Sequence, residues 1–158
     1  MIDKTNVMRI LDKAGAEYKS YSYERSADMN GIDVANAIQA NPDQVFKTLV
    51  TVSKSKQYYV FLVPVVKELD LKKASACVHE KSIEMLKSKD LLPVTGYVHG
   101  GCSPIGMKKS FCTTIDSSAN HFKTILFSAG KIGHQVEVDL EDLKKVISFN
   151  LAEVIKST

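Results

Sequence analysis

Residues 45–63 read VFKTLVTVSKSKQYYVFLV, and this stretch decides the fold. It contains two runs of β-branched, aromatic and aliphatic residues, Val45–Val52 and Tyr58–Val63, separated by the polar segment Lys54–Gln57. Two such runs on either side of a short polar segment predict a β-hairpin. Because the second run is apolar on both faces, we expect it to lie centrally in the sheet and to end at Pro64.

Lys47 is the one charged residue in the two runs of this hairpin, and it shares a strand face with Val45 and Leu49. On an edge strand such a lysine discourages aggregation. In a central strand it must meet an anion, backbone carbonyls or water, because an unpaired buried charge is costly. The second interpretation predicts a lysine that holds a phosphate or orients a reacting group, with a pKa lowered by desolvation.

The rest of the chain shows helical patterns interleaved with strand patterns. Helical spacing and capping residues predict helices at residues 4–14, 32–40, 71–76, 80–87 and 140–147. Alternating or short apolar runs predict further strands at residues 18–23, 111–115, 124–127 and 135–138. We place Pro93 beyond the end of the fourth helix, and Asn150 with Glu153 predicts a capping box for a terminal helical turn. Together these elements indicate an α+β fold, a single domain over residues 1–158 with a mixed, mostly antiparallel sheet.

The composition is ordinary for a soluble globular protein, with 44% hydrophobic and 25% charged residues among 158. A net charge of +3 permits an anionic ligand without requiring one. Three cysteines without a C-x-x-C pair argue against a disulfide framework and a zinc ribbon, and the histidines show no metal-ligand spacing. The longest apolar run, residues 58–66, is too short to span a bilayer, and the N-terminus lacks the pattern of a signal peptide. We therefore expect a protein of the reducing cytosol.

Glycines concentrate in two segments. GYVHGGCSPIG at residues 96–106 holds four of the eight glycines, and SAGKIG at residues 128–133 holds two more. Such clusters mark backbone that turns sharply or lies close against another group. Tight turns are the simpler interpretation, and the functional one is that backbone N–H groups hold an oxyanion or a phosphate. Ser128 ends a predicted strand beside the second segment, but neither a G-x-S-x-G elbow nor a Walker A loop is present.

Two further sets of residues have functional interpretations. Cys102 follows His99 by three positions, which allows either a thiol nucleophile or a small packed thiol. Four basic residues are candidates for a phosphate-facing rim, with separately solvated lysines as the alternative: Lys108, Lys109, Lys123 and Lys131.

Three segments, in this order, resemble the YbaK/EbsC family: NPDQVFKTL at residues 41–49, the glycine segment 96–106 and SAGK at residues 128–131. Members of that family are free-standing Cys-tRNA(Pro) deacylases, similar to the editing domain inserted in bacterial prolyl-tRNA synthetases. The resemblance extends over nearly the whole chain. It implies a mixed sheet, partly closed like a barrel and surrounded by helices, and the removal of cysteine mistakenly esterified to tRNA(Pro) without metal or other cofactor. It also implies aminoacyl-tRNA and prolyl-tRNA synthetase as partners of a cytoplasmic protein.

The resemblance implies roles for individual residues as well. The implied catalytic residues are Lys47, Tyr23, Gly101 and Ser128, and the implied substrate-binding residues are Gly100, Ser103, Gly130, Lys131 and Gln135. Many members of the family carry an acidic residue where this chain has Gln135, so here the hydrogen-bonding group has no charge. The family is thought to use the thiol of the substrate as nucleophile, which would explain why the protein needs none of its own.

The chemistry of editing fits these residue types. Cysteine and proline are similar in size, so a synthetase pocket cannot reject cysteine by sterics alone and a second sieve is needed. Ester cleavage requires oxyanion stabilisation and positioning more than acid assistance. We expect the N–H groups of Gly100 and Gly101 to contact the ester carbonyl and Lys47 to anchor the terminal adenosine or its phosphate. Tyr23 and Ser128 would then orient the 3′ end.

Other functions stay open at this point. One is an Ala-tRNA(Pro) deacylase of the same superfamily, because the glycine segment is shared among relatives. Another is a non-catalytic aminoacyl-tRNA binding module that partners prolyl-tRNA synthetase, which the neutral Gln135 leaves open. A thiol-redox function through Cys102 is a third.

Overall fold

The computed structural model describes residues 3–26 and 28–157. Within them eight strands form: β1 (Tyr18–Ser22), β2 (Phe46–Ser53), β3 (Tyr58–Pro64), β4 (Ile83–Met85), β5 (Cys112–Asp116), β6 (Thr124–Ser128), β7 (His134–Asp139) and β8 (Asn150–Ala152). The α-helices in these residues are α1 (Asn6–Lys13), α2 (Gly31–Ala37), α3 (Leu71–Cys77), α4 (Ser88–Thr95) and α5 (Leu140–Leu143). Short 3-10 helices lie at Pro42–Gln44 and Ser117–His121. No helix of the described residues is long and apolar enough to cross a membrane.

The predicted hairpin is confirmed as the centre of the larger sheet. β2 and β3 pair antiparallel, with Lys47 opposite Val63. β3 lies between β2 and β5, and its residues Val60–Val63 are completely buried. An apolar run on both faces of a strand is explained by this central position, because layers of side chains cover both sides.

The strands divide into two sheets, ordered β4-β2-β3-β5-β8 and β1-β7-β6. Pairing is antiparallel except between β3 and β5 and between β5 and β8, so the predicted α+β class with mixed, mostly antiparallel sheets is confirmed. The sheet is not closed into a barrel. Among the described residues, the two sheets are bridged at one point, where Val45 pairs parallel with Leu126. Beyond this bridge β2 and β6 pair with different partners, which leaves space between them.

The predicted helix at residues 80–87 is wrong. Residues Ile83–Met85 form β4, which pairs antiparallel with β2 at the edge of the sheet. The spacing of Ile83 and Leu86 fits a helix, but the free edge of β2 offers hydrogen bonds that a short helix would have to replace, and tertiary pairing overrides the local pattern. Pro93, predicted to lie beyond a helix, lies inside α4.

The predicted helical turn at residues 150–153 is also wrong. Asn150–Ala152 forms β8, which extends the sheet parallel to β5. The chain after β8 is fixed by the buried carboxylate of Asp116, which accepts a hydrogen bond of 2.9 Å from the N–H of Val154. A capping-box pattern was therefore outweighed by pairing with a sheet edge that lies 34 or more residues earlier in the chain.

A chain of hydrogen bonds ties the start of β2 to the smaller sheet. The amide of Gln44 donates to the carbonyl and hydroxyl oxygens of Thr124 at 2.8 and 2.9 Å. The Thr124 and Tyr21 hydroxyls both donate to the carboxylate of Glu137, at 2.5 and 2.6 Å. Burial raises the pKa of Glu137, but the two hydroxyls and the charge of Lys19 outweigh it and hold that pKa below its ordinary value.

We expect Glu137 to make the stability of the fold depend on pH. Its pKa is lower in the folded than in the unfolded chain, so its stabilising contribution is present above about pH 4.5, the ordinary value, and is lost as pH falls through the folded-state pKa. Glu137→Gln should lower stability at pH 7 by about 1 kcal/mol, the usual worth of such a hydrogen bond. Urea unfolding at pH 7 and pH 3.5 measures this, with Glu84→Gln, an exposed carboxylate of β4, as the control. Equal pH dependence of Glu137→Gln and the wild-type protein would contradict it.

Candidate active site

A cleft of about 550 Å³ opens where the two sheets diverge. Its walls come from β2, the start of α2, the end of β6, the start of β7 and the two glycine segments. Of the site residues predicted from the sequence, the structure brings five into this cleft: Tyr23, Lys47, Gly100, Ser128 and Gln135.

The strand bridge explains why Lys47 and Ser128 meet. Val45 and Leu126 pair in parallel, and Lys47 and Ser128 each lie two residues further along their strands. Residues two apart in a strand project to the same face. Since both strands run in the same direction, the two side chains reach the same level of the cleft.

Lys47 is partly buried and has no carboxylate within 4 Å among the described residues. Burial lowers the pKa of its amine, and the more distant charge of Glu68 only partly opposes this. Glu68 itself forms an ion pair with Lys156 at 3.1 Å. A cation that is partly desolvated and uncompensated is prepared to bind an anionic or carbonyl oxygen of a ligand.

Ser128 and Gln135 form a cross-strand pair on β6 and β7. The hydroxyl of Ser128 accepts a hydrogen bond of 3.1 Å from the N–H of Gly130, which leaves its own proton free to be donated. The side-chain oxygen of Gln135 is buried and has no hydrogen-bond partner among the described residues. An acceptor in this state costs free energy unless a ligand supplies a donor.

Tyr23 is positioned by the second glycine segment. Its N–H donates to the carbonyl of Gly133 at 2.9 Å, one residue beyond the end of β1. Gly133 has a φ of +95°, and a β-carbon there would lie 3.3 Å from the Tyr23 carbonyl oxygen. This glycine is therefore needed for the turn that carries Tyr23 to the cleft.

The two glycines predicted to hold the ester carbonyl have different positions. The N–H of Gly101 already donates to the carbonyl of Val98 at 3.0 Å, and this residue is buried. A β-carbon on Gly101 would lie 3.2 Å from the backbone nitrogen of Ile132, so the two glycine segments pack backbone to backbone here. Gly100, with a φ of +88°, lines the cleft, and its N–H donates to no acceptor among the described residues. The geometry makes Gly100 the available donor and Gly101 a packing position.

Three other predicted binding residues lie outside this cleft. Ser103 is completely buried, and its hydroxyl accepts a hydrogen bond of 3.4 Å from the N–H of Ile105. Gly130 and Lys131 line a second cleft on the other side of the turn between β6 and β7. The chain turns at Gly130, whose φ is +88°, so Gly130 and Lys131 leave the face on which Ser128 lies, and sequence proximity to Ser128 did not reveal this.

The structure adds cleft residues that the sequence reasoning missed. The start of α2 contributes Gly31 and Ile32, and β2 contributes Thr48, whose hydroxyl oxygen is buried without a hydrogen-bond partner among the described residues. A β-carbon on Gly31 would lie 2.5 Å from a methyl carbon of Val65, so the helix needs glycine to approach the hairpin this closely. The signal in the sequence was a glycine immediately after Asn30, the capping residue of α2.

Cys102 also lines the cleft, but its thiol is not activated. The residue is buried, and burial raises the pKa of the thiol to about 12. The nucleophilic form of cysteine is the thiolate, so Cys102 stays protonated at neutral pH. Among the described residues, no histidine or carboxylate lies within hydrogen-bond distance of the Ser128 hydroxyl either.

This burial predicts an order of alkylation. With iodoacetamide at pH 8, we expect the exposed Cys112 to be modified first and Cys102 to react only after denaturation. Peptide mass spectrometry over a time course measures both rates within one sample. Labelling of Cys102 in the folded protein as fast as Cys112 would show that its thiol is accessible and ionised.

Comparison with known proteins places this chain in a family. The model of the aminoacyl-tRNA editing domain matches residues 29–146, which include β2, both glycine segments and Gln135. The chain belongs to the aminoacyl-tRNA editing domain family. Its members are deacylase and editing proteins, and the resemblance noted from the sequence is thereby confirmed.

Editing-domain relatives cover almost the whole chain. The Enterococcus faecalis (strain ATCC 700802 / V583) protein named "Putative Cys-tRNA(Pro)/Cys-tRNA(Cys) deacylase EbsC" is 40% identical over 152 residues, which are 96% of this chain and 93% of the relative. Among solved structures, one described as "a putative trans-editing enzyme for prolyl tRNA synthetase" is similar with a TM-score of 0.84 and 21% identity, over 98% of this chain and 100% of that one. A hypothetical protein of 15% identity gives a TM-score of 0.86, over 96% of this chain and 100% of that one. These two structures show that the chain shares its fold with other proteins over nearly its whole length, one of them described as a putative trans-editing enzyme.

Proposed function

We propose that this chain is a trans-editing deacylase that removes cysteine mischarged on tRNA(Pro). The observation that carries the proposal is the cleft itself, in which, within the described part of the chain, Lys47, Ser128 and Gln135 have unused hydrogen-bonding capacity and the N–H of Gly100 donates to no acceptor. The name of the Enterococcus faecalis relative supports cysteine as the amino acid. The whole chain, residues 1–158, is proposed to form the editing domain.

Each of these groups has a matching group on an aminoacyl ester. The ammonium of Lys47 would hold the terminal adenosine or its phosphate, and the hydroxyl of Ser128 would donate to the ribose at the 3′ end. The side-chain oxygen of Gln135 would accept a hydrogen bond from the α-amino group of the amino acid, which needs an acceptor but not a charge. The N–H of Gly100 would donate to the oxyanion that develops on the ester carbonyl. Tyr23 would close the side of the cleft against the ribose.

The nucleophile in this proposal comes from the substrate. The thiolate of the esterified cysteine attacks its own carbonyl carbon, a sulfur–carbon bond forms, and the carbonyl oxygen becomes the oxyanion. When the intermediate collapses, the bond from this carbon to the ribose oxygen breaks, and the ribose oxygen takes up a proton. The products are a four-membered thiolactone, which water then opens, and uncharged tRNA. In the described residues, neither the thiol of Cys102 nor the hydroxyl of Ser128 has an activating base, which supports a nucleophile supplied by the substrate.

Such chemistry also provides the specificity that size cannot. Proline has no thiol, so a correctly charged prolyl ester would occupy the cleft without being cleaved.

The amino acid is thus selected by its reactivity, and the tRNA by a partner. We propose prolyl-tRNA synthetase as that partner and the cytoplasm, where tRNA is charged, as the compartment. Because the cleft contacts the ester and not the tRNA body, cysteine on another tRNA is a second substrate in principle, in line with the two tRNAs in the relative's name.

The test is a set of three esters on one tRNA. Cys-tRNA(Pro), Ala-tRNA(Pro) and Pro-tRNA(Pro) are incubated with the wild-type protein and with Lys47→Ala, and loss of each ester above the spontaneous rate is followed. We expect rapid loss of the cysteinyl ester alone, and none with Lys47→Ala. Preferential loss of the alanyl ester would assign the chain to alanine editing. Retained tRNA binding without turnover of any ester would show a binding module in place of an enzyme.

A further inference from the structure

Two cysteines outside the cleft lie close together on one face of the larger sheet. Cys77 is the last residue of α3, and its sulfur lies 3.8 Å from the hydroxyl oxygen of Thr114 on β5. Cys112 lies two residues before Thr114 on the same strand, so these two side chains project to the same face. The sulfur of Cys77 therefore lies beside a side chain that neighbours Cys112.

A second contact brings the chain after α3 to the level of Cys112 itself. Tyr59 on β3 is paired in register with Cys112. The hydroxyl of Tyr59 donates a hydrogen bond of 2.5 Å to the carboxylate of Glu80, three residues after Cys77. Residues 77–80 thus contact this face of the sheet at two successive levels, and Cys112 lies at the second of them.

The state of the two thiols is consistent with this proximity. Both are free, and Cys112 is exposed while Cys77 is partly buried. Burial raises the pKa of the Cys112 thiol, and the neighbouring thiol of Cys77 raises it further. The reactivity of Cys112 therefore depends on a partner thiol nearby and not on an acidic thiol of its own. The thiol-redox function that the sequence left open at Cys102 is better placed at this pair.

We propose that Cys77 and Cys112 form a reversible disulfide by exchange with a small disulfide such as cystine. The thiolate of Cys112, the more exposed residue, attacks one sulfur of cystine, and one cysteine leaves with the electron pair of the broken bond and takes up a proton. The thiolate of Cys77 then attacks the sulfur of Cys112, and the second cysteine leaves in the same way. The protein dithiol is oxidised to a disulfide, and cystine is reduced to two molecules of cysteine.

The bond would act on a long segment of the chain. α3 ends at Cys77, so only the end of a helix has to move for the bond to close. Residues 77–112 then form a closed loop that contains β4, α4 and the first glycine segment. A crosslink over this distance restricts the unfolded chain and so stabilises the folded protein. Neither cysteine lines the ester cleft, so this inference does not depend on the proposed deacylase activity.

The test equilibrates the wild-type protein, Cys77→Ser and Cys112→Ser with mixtures of cysteine and cystine. Free thiols are then trapped with iodoacetamide, and peptide mass spectrometry without reduction identifies each bond. In the wild-type protein at millimolar cysteine, we expect the linked peptides to exceed the mixed disulfide of Cys112 by at least about tenfold, because a neighbouring thiol has a higher effective concentration than free cysteine. Cys77→Ser should stop at the mixed disulfide, and Cys112→Ser should form no internal bond.

Thermal unfolding gives a second readout. The oxidised wild-type protein should melt about 5–10 °C above the reduced one, and a reductant should reverse the gain. Oxidised Cys77→Ser carries cysteine on Cys112 without the crosslink, so it is the matched control and should show no gain.

Three results would overturn the proposal. One is a stable mixed disulfide at Cys112 of the wild-type protein without linked peptides, which would mean that the two thiols cannot reach each other. Another is a bond between the Cys112 residues of two chains in place of the internal bond. A third is an equal melting temperature of the oxidised wild-type protein and oxidised Cys77→Ser, since a bond compatible with the fold must stabilise it.

Discussion

Lys47→Met is expected to lower deacylation of Cys-tRNA(Pro) by at least about 100-fold while leaving the fold as stable as that of the wild-type protein or more so. Methionine keeps the apolar stem of the side chain and removes the charge. Loss of one preorganised group that holds the reacting end of a substrate typically costs 10²- to 10³-fold in rate. An ordinary surface lysine would show neither effect.

The expected gain in stability follows from the pKa of Lys47. Burial lowers this pKa in the folded protein, so the unfolded chain binds the proton more tightly. The charged amine therefore weakens the folded state at every pH below the folded-state pKa, and this penalty is relieved as pH rises through that value. Groups that serve a ligand are often retained at such a cost to stability.

Single-turnover deacylation and thermal unfolding of the same preparations measure both effects. Lys54→Met, an exposed lysine in the turn of the same hairpin, is the matched control and should change neither. If Lys47→Met lost activity together with a large part of its stability, Lys47 would be a structural residue. If it kept full activity, the cleft would not depend on this cation.

Gly101→Ala is expected to reduce turnover by about 10- to 100-fold in a protein that still folds. The added β-carbon would lie 3.2 Å from the backbone nitrogen of Ile132 and 3.5 Å from the carbonyl carbon of Lys131. Backbone cannot rotate away as a side chain can, so the two glycine segments must separate by a few tenths of an ångström. Gly100 and Ser128 stand on these two segments, and small displacements of positioned groups lower rates strongly.

Gly15→Ala is the control for the general cost of replacing a glycine. Gly15 has a φ of +72° and no atom within 4 Å of its would-be β-carbon, so alanine there adds backbone strain of about 1–2 kcal/mol without moving a neighbour. We expect Gly15→Ala to lower the melting temperature and to keep turnover. Equal turnover in the two alanine variants would show that the contact between the glycine segments does not position the site.

The parts of the fold that could be predicted are those that the local sequence pattern determines. The hairpin around Lys47 follows from two apolar runs and a polar turn, and the burial of this lysine follows from the central position of its partner strand. β4 and β8 could not be predicted in the same way. Each has three residues, and each forms because a distant strand offers an unpaired edge. Local spacing in both segments fits a helix, so only the tertiary partner decides.

The candidate site also has parts that the sequence could predict and parts that it could not. Lys47 and Ser128 lie close together because Val45 and Leu126 form a bridge between the two sheets. No sequence pattern predicts a single bridge between residues 81 positions apart. The two glycine segments pack against each other at Gly101 and Ile132, and the sequence shows neither this contact nor which N–H groups are already used. Gly101 donates to Val98, and only coordinates reveal which donor is already occupied. In the same way, only coordinates show that the turn at Gly130 puts Lys131 in a different cleft from Ser128.

The central claim is that this cleft positions a cysteinyl ester whose own thiol cleaves it. The most direct measurement compares tRNA(Pro) charged with cysteine and tRNA(Pro) charged with 2-aminobutyrate, in which a methyl group replaces the thiol at nearly the same size. The account predicts rapid loss of the cysteinyl ester and no loss of the 2-aminobutyryl ester beyond its spontaneous rate. Equal rates for the two esters would contradict it, because the nucleophile would then have to come from water or from the protein.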